Sequence, residues 1–419
     1  MYWLYNTLLI LTMPIWFVWM MWRSRKRAEA PNWRERQGSY PFVFAKGRPR
    51  IWIHAVSVGE VVASIPVVER LRELRPDAQL LLTVTTSSGH QTARDRLLTP
   101  GLVDRVAYFP IDVALFQFAA LSTVRPHVVA VMETELWFNF LWASKQVSAF
   151  TCLINGRISE RSFGRGQKLA FFYRALFKNL DVAYMQSEAD ATRIRSLGAE
   201  RVEVVGNTKF DEASAAASSD RSHWRSLLGI AEDELLVVVG STRGEEEAGF
   251  VARALQAVTT ESKWRIVHAP RHLELADYVE TCYQGPVARR SRGDHAQVMI
   301  LDTYGELGAV YAAADIAIVG GGFEKHGGQN LIQPLAAGIP VLHGPYMTNF
   351  RSVADQAVEA GASKVCRTEQ ELTEAVTQLL NDAGARSTIG AIAEALVQTN
   401  LGASETYAKK ILAALPEKL

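Results

Sequence analysis

No two aspartates stand two residues apart anywhere in the chain, so a DxD-type metal clamp is missing. None of the nine histidines falls in an HExxH-like pattern either. The glycine-rich stretches have neither GxGxxG nor Walker spacing, which leaves a nicotinamide or ATP reading weak. Net charge is only +1 at pH 7, without the basic excess of a general nucleic-acid binder. Cys152, Cys282 and Cys366 are odd in number and far apart. They make neither a disulfide framework nor a zinc site and suit a reducing compartment. There is no short-period repeat and no low-complexity tract. What remains is 419 residues, 48% hydrophobic, enough for ample core and, at roughly 100–200 residues each, two or three domains.

The first residues differ from the rest. Tyr2 to Trp22 is uncharged and about long enough to cross a hydrocarbon core of roughly 30 Å. Arg23-Ser24-Arg25-Lys26-Arg27 follows, and the positive-inside rule places that flank in the cytoplasm. Ala28-Glu29-Ala30 resembles a signal-peptide cleavage site, but no charge precedes the apolar run and the basic cluster lies before the cut. The expectation is a retained single-pass anchor in the cell inner membrane, with the functional body on its cytoplasmic side. No later apolar run is long enough to span again.

From residue 51 strand-like runs alternate with helical patterns: 51–56, 79–85, 103–109, 127–132, 149–154, 181–185 and 201–205. The alternation restarts at 235–240 and continues through 264–268, 297–301, 315–319 and 340–343. Strand, helix, strand in this order predicts parallel sheets covered on both faces. Asp211 to Asp220, DEASAAASSD, breaks the pattern and reads as a linker. The expected organisation is an anchor and basic flank over 1–27, an N-terminal Rossmann-like domain over 28–210, the linker over 211–220, a second Rossmann-like domain over 221–400 and a C-terminal helix over 401–419.

Several stretches set polar or charged groups at strand ends, where ligands of such sheets bind. In HAVSVGE, Glu60 opens a helix after a buried strand. A carboxylate there complements the helix dipole, which also keeps it ionised; the same group at a strand end is placed to act as a general base. Ser57 and Gly59 beside it are turn and cap residues or ligand contacts. VGGGFEKHGGQN, 319–330, is either a tight turn or a phosphate cradle. HAPRH, 268–272, offers the planar fork of Arg271. METELW, 132–137, carries Glu133 and Glu135, too close in sequence for a typical glycosidase pair.

Taken in order, HAVSVGE, METELW, NGRISERS, VVGNTKFD, GSTRGEEE, APRH, DTYGEL and GGQN give a chain that resembles the bacterial 3-deoxy-D-manno-octulosonic acid (Kdo) transferases of lipid A assembly, nearly end to end. The resemblance implies an α/β GT-B fold of two Rossmann-like domains, with the site in the cleft between them. It implies a CMP-Kdo donor, a lipid A precursor such as lipid IVA as acceptor, and inverting transfer with no metal and no cofactor. Carried over by position, Glu60 takes the proton of the acceptor hydroxyl. Pro270 and Arg271, then Tyr304, Gly305 and Glu306, then Asn330, Leu331, Ile332 and Gln333 fall where the family binds CMP. Ser57, Gly59, Glu133 and Lys209 are further contacts to donor or acceptor. Two departures bear on the donor: Gln333 stands where members commonly have Glu, and Thr242-Arg243-Gly244-Glu245-Glu246 replaces Thr-His-x-Gly-Glu. A nucleotide-sugar epimerase of the same fold and a decayed, membrane-tethered binding protein are the alternatives.

Overall fold

The computed structural model describes residues 1–26, 32–217 and 219–416. Arg27, the Ala28-Glu29-Ala30 stretch, Ser218 of the expected linker and residues 417–419 lie outside them. The chain forms two compact units, Met1–Thr208 with Gly402–Leu419, and Lys209–Leu401.

The first unit is built on β1 (Arg50–His54), β2 (Gln79–Val84), β3 (Arg105–Tyr108), β4 (Val128–Met132), β5 (Phe150–Gly156), β6 (Val182–Met185) and β7 (Val202–Val204). All pair in parallel, in the order β3-β2-β1-β4-β5-β6-β7. The central runs are apolar throughout because both faces are covered. Ile51, Ile53, Leu80 and Leu82 pack with the helix Val58–Leu74 on one face, while Trp52, Leu81, Val129 and Val131 meet Phe140 and Leu141 on the other. The C-terminal helix Ala403–Ala413 returns to this unit, burying Tyr407 and Ile411 in the first of those layers. The Tyr407 hydroxyl donates to the Gly206 carbonyl at 2.7 Å.

The second unit holds β8 (Leu235–Thr242), β9 (Trp264–Pro270), β10 (Val287–Arg289), β11 (Val298–Ile300), β12 (Ile316–Val319), β13 (Val341–His343) and β14 (Ser363–Val365). These too are parallel, in the order β10-β11-β9-β8-β12-β13-β14. The edges β10 and β14 escape the sequence reading, since each is three residues long with a single one buried, and so carries little apolar signal. Most of DEASAAASSD is not extended: Lys209–Ala217 is a helix whose Phe210 and Ala213 enter this unit's core. Alanine is the strongest helix former, so small residues here signal helix rather than linker.

The membrane-spanning expectation, and the inner-membrane localisation drawn from it, are overturned. Among the described residues no helix is long and apolar enough to cross a membrane. The helix Tyr2–Lys26 contains Pro14, and its first turns belong to the folded body. Tyr5 donates to Asp112 at 2.8 Å, Asn6 and Asn139 exchange amide hydrogen bonds at 3.0 and 2.9 Å, and Tyr2 packs 4.1 Å from the Trp142 ring. Residues 7–22 then reach about 24 Å at 1.5 Å per residue, short of a core of roughly 30 Å. Tyr5 and Asn6, inside the expected span, are docking residues.

Candidate functional site

The strand order switches direction at β1 beside β4 in the first sheet and at β8 beside β12 in the second, where β10 and β11 are also exchanged at the edge. A crevice opens outside the strand ends at such a switch point. Glu60 and Glu133 follow β1 and β4 at the first. Asn330 follows β12 at the second and Arg271 follows the neighbouring β9, whereas Tyr304, Gly305 and Glu306 follow β11, one strand further out.

In the first unit β1 runs into Ser57, the N-cap of the helix Val58–Leu74. Ser57 and Glu60 have capping-box spacing, yet the Ser57 side chain makes no cap bond. Glu60 folds back instead. Its Oε2 accepts the Val56 amide at 2.8 Å and its Oε1 accepts the Ser57 hydroxyl at 3.3 Å. Glu60 is only 9% exposed. Burial pushes its carboxyl up to about 7; the Val56 amide and Ser57 hydroxyl oppose the rise, while the charges of Glu133 and Glu135 add to it. The expectation that the helix start keeps this group ionised therefore fails, because desolvation outweighs it. Near neutrality Glu60 is divided between acid and carboxylate, the condition in which a carboxyl group exchanges protons most readily.

Glu133 leaves β4 in the left-handed region, φ 53, an uncommon and strained conformation for a residue with a Cβ. Its amide donates to Ile154 across the sheet at 3.0 Å. Burial, then the charge of Glu133, raises the Glu135 carboxyl as well. The two acids of METELW and the acid of HAVSVGE thus share one end of one sheet. Gly59 is exposed, and a Cβ there would meet only Ser57 Oγ, at 3.9 Å, so nothing within the unit demands glycine.

In the second unit Pro270 is the buried last residue of β9, and Arg271 follows it, exposed, its amide donating to the Thr242 carbonyl at 2.8 Å. Tyr304 is 78% exposed. Gly305 has φ 84, and Glu306 accepts from Thr303 and pairs with Arg290 at 3.0 Å. Asn330 Oδ1 accepts the Ile332 amide at 3.0 Å at the start of the helix Ile332–Ala336. The Leu331 and Ile332 side chains are wholly buried in the core, so only their backbone is placed to meet a ligand; Gln333 is half-buried. Lys209 sits in this unit with its Nζ 5.7 Å from the Phe350 ring centre.

One residue here was not singled out from sequence. Glu247 is completely buried. Its Oε2 accepts the amides of Arg243 at 2.6 Å and Gly321 at 2.7 Å, and its Oε1 accepts that of Phe323 at 2.9 Å. It ties the loop after β8 to the glycine-rich turn after β12, and it occupies two of the turn's N–H groups. The phosphate-cradle expectation for that turn is narrowed accordingly. Its glycines have a packing cause: a Cβ on Gly320 would come within 2.6 Å of the Thr242 backbone, and Gly321 has φ 75. His268 is likewise structural, fully buried between Thr242 and Tyr283 with 2.8 Å contacts to each. Among the described residues no group of three His, Cys, Asp or Glu is placed to hold a metal ion.

Comparison with known proteins gives the fold a family. Solved structures share the architecture: UDP-GlcNAc 2-epimerase from Neisseria meningitidis matches at TM-score 0.63 over 87% of this chain and 99% of its own. MurG from Acinetobacter baumannii matches at 0.58 over 87% and 99%. Both are 14% identical, which shows the fold alone. Residues 31–212 match the family model described as 3-deoxy-D-manno-octulosonic-acid transferase. The curated 3-deoxy-D-manno-octulosonic acid transferase of Chlamydia pneumoniae is 32% identical over 82% of this chain and 79% of its own length. That of Bordetella pertussis is 32% identical over 93% and 94%, and that of Haemophilus influenzae 28% over 95% of each. The chain belongs to the 3-deoxy-D-manno-octulosonic acid transferases, glycosyltransferases that move Kdo in lipopolysaccharide core biosynthesis.

Proposed function

We propose that this transferase takes Kdo from CMP-Kdo and places it, with inversion, on a hydroxyl of a lipid A precursor such as lipid IVA. Glu60 is the general base. The observation that carries the reading is its buried carboxyl, poised near 7 at the switch point of the first sheet. As the acceptor oxygen attacks the anomeric carbon, its proton passes to Glu60 while the bond to the CMP phosphate breaks. Glu133 stands at the same sheet end, placed to favour the positive charge that develops on the sugar.

On the donor side, Arg271 is exposed at a strand end and meets the departing phosphate, whose charge grows as the bond breaks. Lys209 adds a second cation. Tyr304 and Gly305, Asn330 and the backbone of Leu331 and Ile332 form the nucleotide seat, with Glu306 and Gln333 at its rim. Because Glu306 is already paired with Arg290, it holds the loop in shape before any ligand arrives.

Purified protein incubated with CMP-Kdo and a tetraacylated lipid A precursor tests this, with products read by mass spectrometry and CMP binding by calorimetry. Product heavier by Kdo and saturable CMP binding support the reading. Kdo transfer to another acceptor class, or no CMP binding at millimolar concentration, would overturn it.

A further inference from the structure

The first sheet has a second end, remote from Glu60. Arg50 opens β1 and His54 closes it, about 13 Å apart at 3.3 Å per residue. Where β1, β4 and β5 begin lies a cavity of about 560 Å³. Its wall includes Arg50, Arg125 and His127, the hydroxyl residues Ser122 and Ser148, and an apolar side with Phe150. No carboxylate is among the described lining residues.

The hydrogen bonding at its rim is incomplete in a specific way. The Arg50 amide donates to His127 Nδ1 at 2.9 Å. A backbone N–H has no lone pair to give, so Nδ1 is the acceptor and the neutral ring carries its proton on Nε2. That Nε2 lies 3.4 Å from Arg50 Nη2, and a guanidinium nitrogen only donates. Two donors therefore face each other, and a single acceptor placed between them would satisfy both.

The guanidinium is also fixed in place, since its Nε donates to the Arg125 carbonyl at 2.7 Å. Burial, then the neighbouring Arg125 charge, lowers the proton affinity of Arg50. Burial, then Arg50, does the same to His127. Among the described lining residues, which run to Ala414 and Pro416, no acidic group offsets this positive charge.

Backbone geometry points the same way. Arg125 and Ser148 both have left-handed backbones, φ 48 and 59, at the exits of the helices Ala114–Val124 and Phe138–Gln146. Glycine suits such exits best. At both of them the chain keeps a polar side chain that lines the cavity.

We propose that this cavity is a binding site for a small phosphate-bearing molecule, its oxyanion bridging Arg50 Nη2 and His127 Nε2 and its organic part lying against Phe150. An anion oxygen accepts from both donors at once, and such charge-assisted bonds are the strong ones.

The test is a titration of the full chain with phenyl phosphate, and separately inorganic phosphate, with ionic strength held constant by sodium chloride. The His127 ring is followed by nitrogen NMR, and binding by calorimetry. Saturable binding that raises the His127 pKa is expected. In His127→Asn the Oδ1 still accepts the Arg50 amide while the Nε2 donor is gone, and affinity should fall at least tenfold. Arg50→Gln should do the same. Ring signals that respond no more to phosphate than to chloride overturn the proposal without any variant. Unchanged affinity in both folded variants overturns it too. Binding of inorganic phosphate as tight as phenyl phosphate contradicts the role given to Phe150.

Discussion

Replacing Glu60 by Gln should make the first unit more stable at alkaline pH while abolishing the proposed base. The carboxyl moves from 4.5 to about 7 on folding. At about 1.4 kcal/mol per pH unit, ionising it in the folded protein costs about 3 kcal/mol. The direction follows from the raised value. Below 4.5 the group is protonated in both states and contributes no difference. Between 4.5 and about 7 the folded state holds the proton more tightly, so its advantage is lost as pH rises, and above about 7 the full penalty applies. Gln has no such titration. The stability of Glu60→Gln minus that of wild type should therefore rise by about 3 kcal/mol between pH 4 and pH 8. Asp112, whose carboxyl burial also raises to about 7, is present in both proteins and cancels. Urea unfolding at steps of pH measures this, with fluorotryptophan at the fully buried Trp52 reporting the first unit. A difference that is flat with pH, or falls as pH rises, would refute the reasoning. It would mean that the Val56 amide and the helix start hold Glu60 ionised after all.

Other perturbations probe the supports of the two sites. Glu247→Gln leaves a neutral acceptor where three amides converge, and should destabilise the second unit by about 3 kcal/mol in urea unfolding. The same variant should raise the KM for CMP-Kdo more than it lowers kcat, since the loops it ties bear the proposed nucleotide seat. A Cβ on Gly344 would run into the Gly322 carbonyl, so Gly344→Ala should cost the second unit about 3 kcal/mol; wild-type stability would show that the turn yields easily. Tyr5→Phe removes the hydroxyl that donates to buried Asp112. It should weaken docking of the first helix by about 1–2 kcal/mol, read as faster amide exchange in its first two turns.

Most of the fold was legible because parallel strands buried on both faces are written as unbroken apolar runs. Leu235 to Val239 and Val128 to Met132 could be little else. The two edge strands were not legible, because VAR and SKV look like any loop. The helix over Lys209–Ala217 was misread from polar neighbours, although its alanines spoke for helix. Tyr5 and Asn6 show a deeper limit. Whether an apolar segment meets lipid or its own protein depends on distant partners, here Asp112 and Asn139. At the candidate site the motif drew attention to Glu60, but its ionisation was misjudged, since burial is a property of the whole fold. Glu247 was lost among three consecutive acids. Its spacing to Val251, Ala254 and Leu255, all buried, is the helical pattern that would have set it apart from Glu245 and Glu246.

The central claim, that Glu60 takes the acceptor proton, is tested most directly by single-turnover Kdo transfer with wild type and Glu60→Gln at saturating CMP-Kdo and lipid A precursor. Loss of a general base is expected to slow the step by about 10²–10⁴-fold, with CMP affinity unchanged. The wild-type rate should rise with pH through an apparent value near 7, and the variant's residual rate should not. Transfer by Glu60→Gln at the wild-type rate, or with the same pH profile, would contradict the account.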